Sequence, residues 1–330
     1  MSSSPVTTAG LSPLSTLCIT PNVALDRTLV VPRFTLGGAC RADHVYTTIG
    51  GRGLNVARTL ASLAKANHSA GFIGGASGNM AARSAAAEGL TATWSHIGGE
   101  TRASLIILTG PTEAGPAQAT IITEPGPVIT DREWAQFEAD VTQLAHGRSA
   151  VCICGSMPPG SPPSARQRLQ AVVAGHGRPV WVDSGGESLA QANIAPTLGL
   201  KLNAEEAAAA TARPVQTVTD ALSAAQWLAA RGIARVAITL GSQGAVLVVG
   251  HKGWYARPPA IVARNPVGSG DCFLAGLVAA LGEGSRSDDA LRLATACGTA
   301  NALATRVGRL VASDVTRLAA EVAVHQIGLL

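Results

Sequence analysis

Asn265-Pro266-Val267-Gly268-Ser269-Gly270-Asp271 is followed by residues 272–281, a run almost wholly apolar and small. One Pro and two Gly interrupt any regular pattern before that run begins. The stretch therefore reads as a tight loop feeding the first turn of a buried helix. First-turn N–H groups have no partner within a helix and carry partial positive charge, which makes them an anion site. Gly268 and Gly270 have no side chain to keep a charged oxygen away from those N–H groups. Asp271 adds a carboxylate beside them. A carboxylate repels a phosphate unless it has a task there, such as accepting the proton of an attacking hydroxyl. The structural alternative is that Asp271 is an N-cap and the glycines only shape the turn.

Upstream of the loop, strand-like and helix-like segments alternate. A hairpin (245–249 with 254–257) is preceded by a strand at 235–239 and by helices at 217–231 and 204–211. Before these come a strand at 198–202, a short helix near 188–193, a strand at 179–182 and a helix at 164–174. A strand at 150–154 and a helix at 131–145 continue the pattern towards the N-terminus. Near the front, strands at 16–20, 28–31 and 42–49 precede a helix at 54–66, a strand at 69–73 and a helix at 79–88. Short strands at 91–97, 103–108 and 119–123, joined by Gly/Pro-rich turns, break the alternation. Strand–helix alternation implies a mostly parallel sheet covered on both faces. The expectation is one α/β domain over 16–330 behind a disordered tail, 1–15. It carries a small β lid drawn from about 25–49 and 91–123, able to exclude water from a pocket.

Composition narrows the function. Two Tyr, four Phe and five Trp in 330 residues are too few for a nucleic-acid stacking platform, and a net charge of +4 with scattered Arg is no duplex-binding stripe. The expectation is no nucleic-acid partner. No apolar stretch reaches membrane-spanning length and the front segment lacks a signal-peptide pattern, so a cytoplasmic protein without a membrane partner is expected. Six Cys without C-x-x-C spacing suit a reducing compartment. The seven His form no ligand-like pair. No Walker pattern and no nucleophile elbow are present.

In an open parallel sheet, ligands bind beyond the carboxyl ends of the strands. At those positions stand residues 22–27, 50–53, 155–160, Asp183 to Gly186, Asn203 with Glu206, and 240–244. So many small and polar loops along one rim suggest a phosphate-lined crevice.

These residues carry a resemblance. Gly50-Gly51-Arg52-Gly53-Leu54-Asn55-Val56-Ala57 and Val267-Gly268-Ser269-Gly270-Asp271 resemble the two signatures of the ribokinase-like (PfkB) sugar kinases. Leu25-Asp26-Arg27, Thr101-Arg102, Gly155-Ser156-Met157-Pro158, residues 201–206 and residues 239–244 follow in the family's order. Likeness is greatest to the 1-phosphofructokinase and tagatose-6-phosphate kinase branch, and the Asn265-Pro266-Val267 lead resembles the tagatose-6-phosphate kinases in particular. The resemblance implies a three-layer α/β/α sandwich with a mostly parallel central sheet and a β-sheet lid. It also implies ATP- and Mg²⁺-dependent phosphorylation of tagatose 6-phosphate, fructose 1-phosphate or fructose 6-phosphate to the bisphosphate.

By the same resemblance, Asp271 would accept the hydroxyl proton while the N–H groups of Gly268, Ser269 and Gly270 hold developing charge. Asp26, Gly51 and Asn55 would bind sugar hydroxyls, though Asp26 also suits a turn. Arg102, with Ser156 nearby, would grip the sugar's phosphate with its planar fork. Arg41 would reach a neighbouring subunit's site in a homodimer formed through the lid, and Arg52 and Arg27 would add charge at the rim. Lys201 and Asn203 would contact nucleotide phosphates, and Glu206 would hold Mg²⁺ or simply favour its helix start. Ser242, Gly244 and Asn301 fall on the nucleotide side, with adenine between the 240–244 loop and a helix around 294–301. Departures are visible as well. Arg52 replaces the family's usual Lys, Leu202 replaces a Pro before Asn203, and 110–116 looks longer than a minimal hairpin. Two other readings stay open: a non-catalytic sugar-phosphate-binding regulator, and a kinase for an unphosphorylated sugar or nucleoside.

Overall fold

The computed structural model describes residues 15–110, 118–175, 177–183 and 197–328. The tail apart from Ser15, most of the 110–116 segment, Ser184 to Gly186 and the 188–193 helix lie outside the described residues.

A ten-stranded sheet forms the body of the protein. Its parallel part runs, in spatial order, β11 (Arg235–Thr239), β10 (Leu198–Asn203), β9 (Val180–Asp183), β8 (Ala150–Cys154), β1 (Ser15–Thr20), β4 (Ala66–Ile73) and β5 (Ala92–His96). Beyond β11 the sheet continues antiparallel through β12 (Ala245–Val249), β13 (Lys252–Arg257) and β14 (Ala323–Ile327). Side chains alternate between the two faces, as the period of a strand requires. Val151 and Ile153 of β8 enter one core cluster, while Ala150, Cys152 and Cys154 enter the other. Covering the first face are α3 (Asp131–Ala145), α4 (Ala165–Ala174), α5 (Ala204–Thr211) and α6 (Val218–Ala229). The second face is covered by α1 (Arg52–Ser62), α7 (Ser269–Gly282), α8 (Ser287–Leu303) and α9 (Ala312–Glu321). The result is three layers with a mostly parallel sheet between them.

Small residues set the spacing on the second face. A Cβ at Gly276 would come within 2.9 Å of the Ala294 Cα, so α7 and α8 approach at backbone distance. Five of the six cysteines are buried, and four of them, Cys18, Cys152, Cys154 and Cys297, pack in this cluster beside Cys272 as small apolar groups. Fully buried Trp134, Phe137 and Leu169 anchor the opposite face, each worth about 1.5–3 kcal/mol by the usual scale for large apolar side chains.

The second sheet is four-stranded, in the order β3 (His44–Gly50), β2 (Ala24–Val31), β6 (Arg102–Thr109) and β7 (Gln118–Thr123). Leu25 and Ile49 root it in a small core with Leu54 and with Ala81 and Ala85 of α2 (Gly75–Ala87).

Some elements differ from the sequence expectation. Ala92–His96 pairs in parallel with β4 at the edge of the large sheet and does not join the lid. With α2 between them, β4 and β5 make a strand–helix–strand crossover, which returns the chain parallel to the same sheet. Helix α2 starts at Gly75, well before residue 79, because Glu100 accepts the N–H groups of Ala76 and Ser77 in place of an N-cap side chain. Helix α1 ends at Ser62, where Ala64 turns left-handed, and β4 begins at Ala66. Helix α9 and strand β14 were not foreseen. No helix among the described residues is long and apolar enough to cross a membrane.

Candidate active site

The carboxyl ends of β1, β8, β10 and β11 open into a cavity of about 1620 Å³, roofed by the small sheet. From the roof come Asp26, Ser104 and Ile106, and from the body come Gly51, Arg52, Asn55, Ser156, Lys201, Asn203 and residues 266–271. Asp26 and Arg102 thus share one cavity with Asp271, although the chain separates them by most of its length.

The floor is built where α7 begins. Gly268 caps the helix in the left-handed conformation at φ +75°, where a Cβ would also overlap Val307. The Ser269 N–H contacts the Pro266 carbonyl at 3.3 Å and the Asp271 N–H bonds the Gly268 carbonyl at 3.0 Å. Ser269 is therefore partly engaged, and the N–H groups of Gly268 and Gly270 are the ones left without an acceptor among the described residues. Gly270 leaves room for the Lys201 ammonium, since a Cβ there would lie 2.6 Å from Nζ. Behind the loop, the Asn301 amide donates to the Val267 carbonyl (2.8 Å) and Ser269 Oγ (3.1 Å) and accepts from the Gly308 N–H (2.9 Å). Asn301 is buried and absent from the cavity walls. It shapes the loop and is not positioned to touch a nucleotide.

Asp271 is buried, and its Oδ2 accepts from Asn55 Nδ2 at 2.7 Å. Asn55 is oriented in turn by Arg58, whose Nη1 donates to Asn55 Oδ1 at 2.8 Å. Burial and the neighbouring Asp183 push the Asp271 carboxyl up to about 7, against Lys201, Arg52 and the Asn55 hydrogen bond. Asp183 is wholly buried at the end of β9; in the sequence it stood only as one of the strand-end residues of the crevice, without a role of its own. Its Oδ1 takes Lys201 Nζ at 3.3 Å and Arg52 Nη1 at 3.1 Å, while the carboxyl also faces that of Asp271 and Oδ2 has no other partner among the described residues. Burial raises its carboxyl, but Lys201 and Arg52 more than offset this and hold it below the usual carboxylate range. Its sequence signal was an acid closing an otherwise apolar strand at the rim where ligands bind.

Arg52 also bonds Glu206 Oε1 at 2.7 Å. Burial works against its charge, yet Asp183, Asp271 and Glu206 raise its pKa further. Glu206 and Asn203 form a reciprocal capping box at the start of α5, with Asn203 Oδ1 accepting the Glu206 N–H (2.8 Å) and Glu206 Oε2 the Asn203 N–H (2.9 Å). Both Glu206 oxygens are thus engaged within the protein, and Glu206 stands behind the cavity wall. Among the described residues, no three of His, Cys, Asp and Glu converge to cage a cation. Mg²⁺ held mainly by phosphates and water needs only one or two carboxylates, and the second oxygen of Asp183 fits that donor chemistry, whereas Glu206 could join only by giving up its bond to Arg52 or to the Asn203 N–H.

In the roof, strand alternation decides which residues reach the cavity. Asp26 pairs with Thr48 on one side and Ser104 on the other, and Ser104 bonds its carboxylate. Burial lifts Asp26 to about 6, against Arg58, Arg102 and the Ser104 bond. Gly50 clears its space, since a Cβ would come within 2.1 Å of the carboxyl atoms. Arg102 donates from Nη2 to the Asn22 carbonyl at 3.1 Å, and its Nε is unpartnered. The Asn22 amide donates to Ser156 Oγ at 3.0 Å, and through Asn22 the roof residue Arg102 is joined to Ser156 of the body. Arg27 follows Asp26 on the strand and therefore lies on the opposite, exposed face, away from the rim where the sequence placed it. Arg41 is exposed on the connection between β2 and β3, outside the cavity of its own chain.

A second cavity of about 540 Å³ adjoins the first across Pro266, Ser269 and Gly270. It lies between Ser242 and Gly244 on one side and Thr295, Gly298 and Thr299 of α8 on the other. Gly244 holds φ +105° with its α-carbon against the Ala256 carbonyl, a place closed to any Cβ.

Comparison with known proteins gives a consistent picture. Residues 18–311 match the sequence profile described as pfkB family carbohydrate kinase. The chain is 33% identical over 276 residues to a 1-phosphofructokinase of Rhodobacter capsulatus, covering 83% of this chain and 86% of that one. It is 31% identical to a 1-phosphofructokinase of Xanthomonas campestris pv. campestris, covering 86% and 89% of the two chains. Phosphofructokinase-2 from Escherichia coli, solved with substrates and products, superposes with a TM-score of 0.82 at 28% identity, over 94% of this chain and 99% of that one.

Proposed function

The chain belongs to the pfkB family of carbohydrate kinases, and on that premise we propose that it transfers the terminal phosphate of ATP to a free hydroxyl of fructose 1-phosphate, with Asp271 as proton acceptor. The observation that carries this reading is the Asp271 carboxylate, buried at the first turn of α7 beside Lys201 and within a cavity that also holds Arg102 and Asp26. Fructose 1-phosphate leads tagatose 6-phosphate and fructose 6-phosphate because the relatives above are 1-phosphofructokinases.

Phosphoryl transfer asks the protein for alignment, charge neutralisation and a proton acceptor. Asn55 holds one Asp271 oxygen in place, and the carboxyl lines the cavity into which the sugar hydroxyl comes. Asp26 and Gly51 orient the sugar, while Arg102 and Ser156 receive its existing phosphate. Lys201, Arg52 and the free N–H groups of Gly268 and Gly270 neutralise the phosphate being transferred. Asn203 borders the nucleotide phosphates, and the smaller apolar cavity beside Ser242 and Gly244 takes the adenine. Mg²⁺, when bound near Asp183 and Glu206, supplies further charge neutralisation on the nucleotide phosphates. Exposed Ile122 on the outer face of the lid and exposed Arg41 support a homodimer formed through the small sheet.

Asp271→Asn tests the reading by removing the proton acceptor while keeping shape. With an ATP-coupled assay across fructose 1-phosphate, fructose 6-phosphate and tagatose 6-phosphate, kcat should fall by about 10²–10⁴-fold with sugar binding retained. Since the acceptor must be ionised and sits near 7, wild-type kcat/KM should rise with pH through about 7. Retained turnover in Asp271→Asn, or no wild-type turnover on any of the three sugars, would overturn the assignment.

A further inference from the structure

Two arginines of the described protein are buried on opposite sides of the site, and they differ in what they do with their donors. Arg58 is saturated by Glu88, Asn55 and the Ile49 carbonyl. Arg166, the second residue of α4, is 8% exposed and lines the large cavity, yet its Nε and Nη1 have no hydrogen-bond partner among the described residues. Its one hydrogen bond among the described residues is weak, from Nη2 to the Gly155 carbonyl at 3.4 Å. No carboxylate forms an ion pair with it among the described residues. Burial pulls its pKa down to about 10, with Arg52 adding to the fall and Cys154 and Asp183 opposing it.

A guanidinium stripped of water and left without acceptors is costly to keep, so a folded protein retains one where an anion arrives to use it. The surroundings indicate which anion. Gly155 precedes Ser156, Ser156 is bonded by the Asn22 amide, and the Asn22 carbonyl holds Arg102. Arg166, Ser156 and Arg102 therefore follow one wall of the cavity, with Arg166 at the end nearer Arg52 and Asp183. We propose that Arg166 is a phosphate-binding residue of this site, whose free Nε and Nη1 take oxygens of the phosphate carried by the sugar. A planar fork with two idle donors matches a phosphate monoester in a way that a point charge would not. This assignment adds a second guanidinium to Arg102 and rests on the sugar-phosphate kinase reading above.

Arg166→Met keeps the side chain's length and removes the fork. With fructose 1-phosphate varied at saturating ATP, its KM should rise about 10-fold or more while the ATP KM stays within about twofold. The preference for fructose 1-phosphate over free fructose should fall by a similar factor, and the unliganded variant should melt no lower than wild type. A rise confined to the ATP KM would keep Arg166 as a phosphate ligand and assign it to the nucleotide's terminal phosphate. Both KM values unchanged would overturn the proposal. If Arg166→Met does not fold, Arg166→Lys carries the same readout, and unchanged KM values there overturn it equally. Should wild type turn over no sugar phosphate, the kinase reading fails first. Melting with inorganic phosphate then decides: stabilisation of wild type that the variant lacks supports the assignment, and equal response in both removes it.

Discussion

The floor and the roof of the cavity solve different problems with similar residues. On the floor, Asp183, Lys201, Arg52 and Glu206 come from two strands and two helices and are bonded into one another. Every charge there is offset by a neighbour before any ligand arrives, and Asp271 is tuned by that cluster. In the roof, Asp26 and Arg102 come from two adjacent strands of a small sheet, and Arg102 keeps an unpartnered donor. The floor is preorganised by electrostatics, while the roof is organised by strand register and by the space that Gly50 leaves. Catalysis of phosphoryl transfer depends on a fixed field at the reacting atoms, whereas recognition depends on side chains that a ligand completes.

The sharpest way to break this contrast is to remove the charge at the centre of the floor. Asp183→Asn leaves Lys201 buried without its carboxylate, which should cost about 3–5 kcal/mol in stability, read by denaturant unfolding. Among molecules that remain folded, the rising limb of the pH profile should move to lower pH, because Asp183 is one of the groups raising Asp271. A pH profile that does not move would separate the two carboxylates and dissolve the floor as a unit.

In the roof the expected effect is smaller and falls on binding. Gly50→Ala places a methyl where the Asp26 carboxyl stands. The sugar KM should rise roughly 10- to 100-fold, with the ATP KM little changed, since displacing a positioning group by about 1 Å can cost up to about 10²-fold. An equal effect on both substrates would mean that roof and floor act together. Smallest of all should be the outer face of the lid. Ile122→Lys should lower the mass seen by light scattering from dimer to monomer while changing kcat only about twofold. An unchanged mass would remove the lid as the contact surface.

Much of the floor was legible before any coordinates. The Gly268-Ser269-Gly270-Asp271 loop had to begin a helix, because an apolar run follows glycines that no side chain replaces. The helix at Ala204–Thr211 and the strand at Ala150–Cys154 were read from the sequence at the bounds the structure shows. Asp183 went unassigned because an acid after three apolar residues gives no hint of which cations it will meet. Asn301 was placed on the nucleotide side by its helix, whereas its amide turns inward to hold the loop. Arg27 and Asp26 could not be told apart by position along the chain, since adjacent strand residues share a neighbourhood in sequence and opposite faces in space.

Alone, the sequence determined a three-layer α/β body, its crevice of small and polar loops, and the acid-bearing helix start that faces it. Periodicity and turn chemistry act over a few residues, so they can be read from a few residues. Tertiary structure decided that Ala92–His96 belongs to the large sheet, that Asp183 binds Lys201 and Arg52, and that Arg166 is buried with idle donors. Those outcomes depend on which strands lie side by side and on how much water remains around a charge, and neither quantity is local to any stretch of chain.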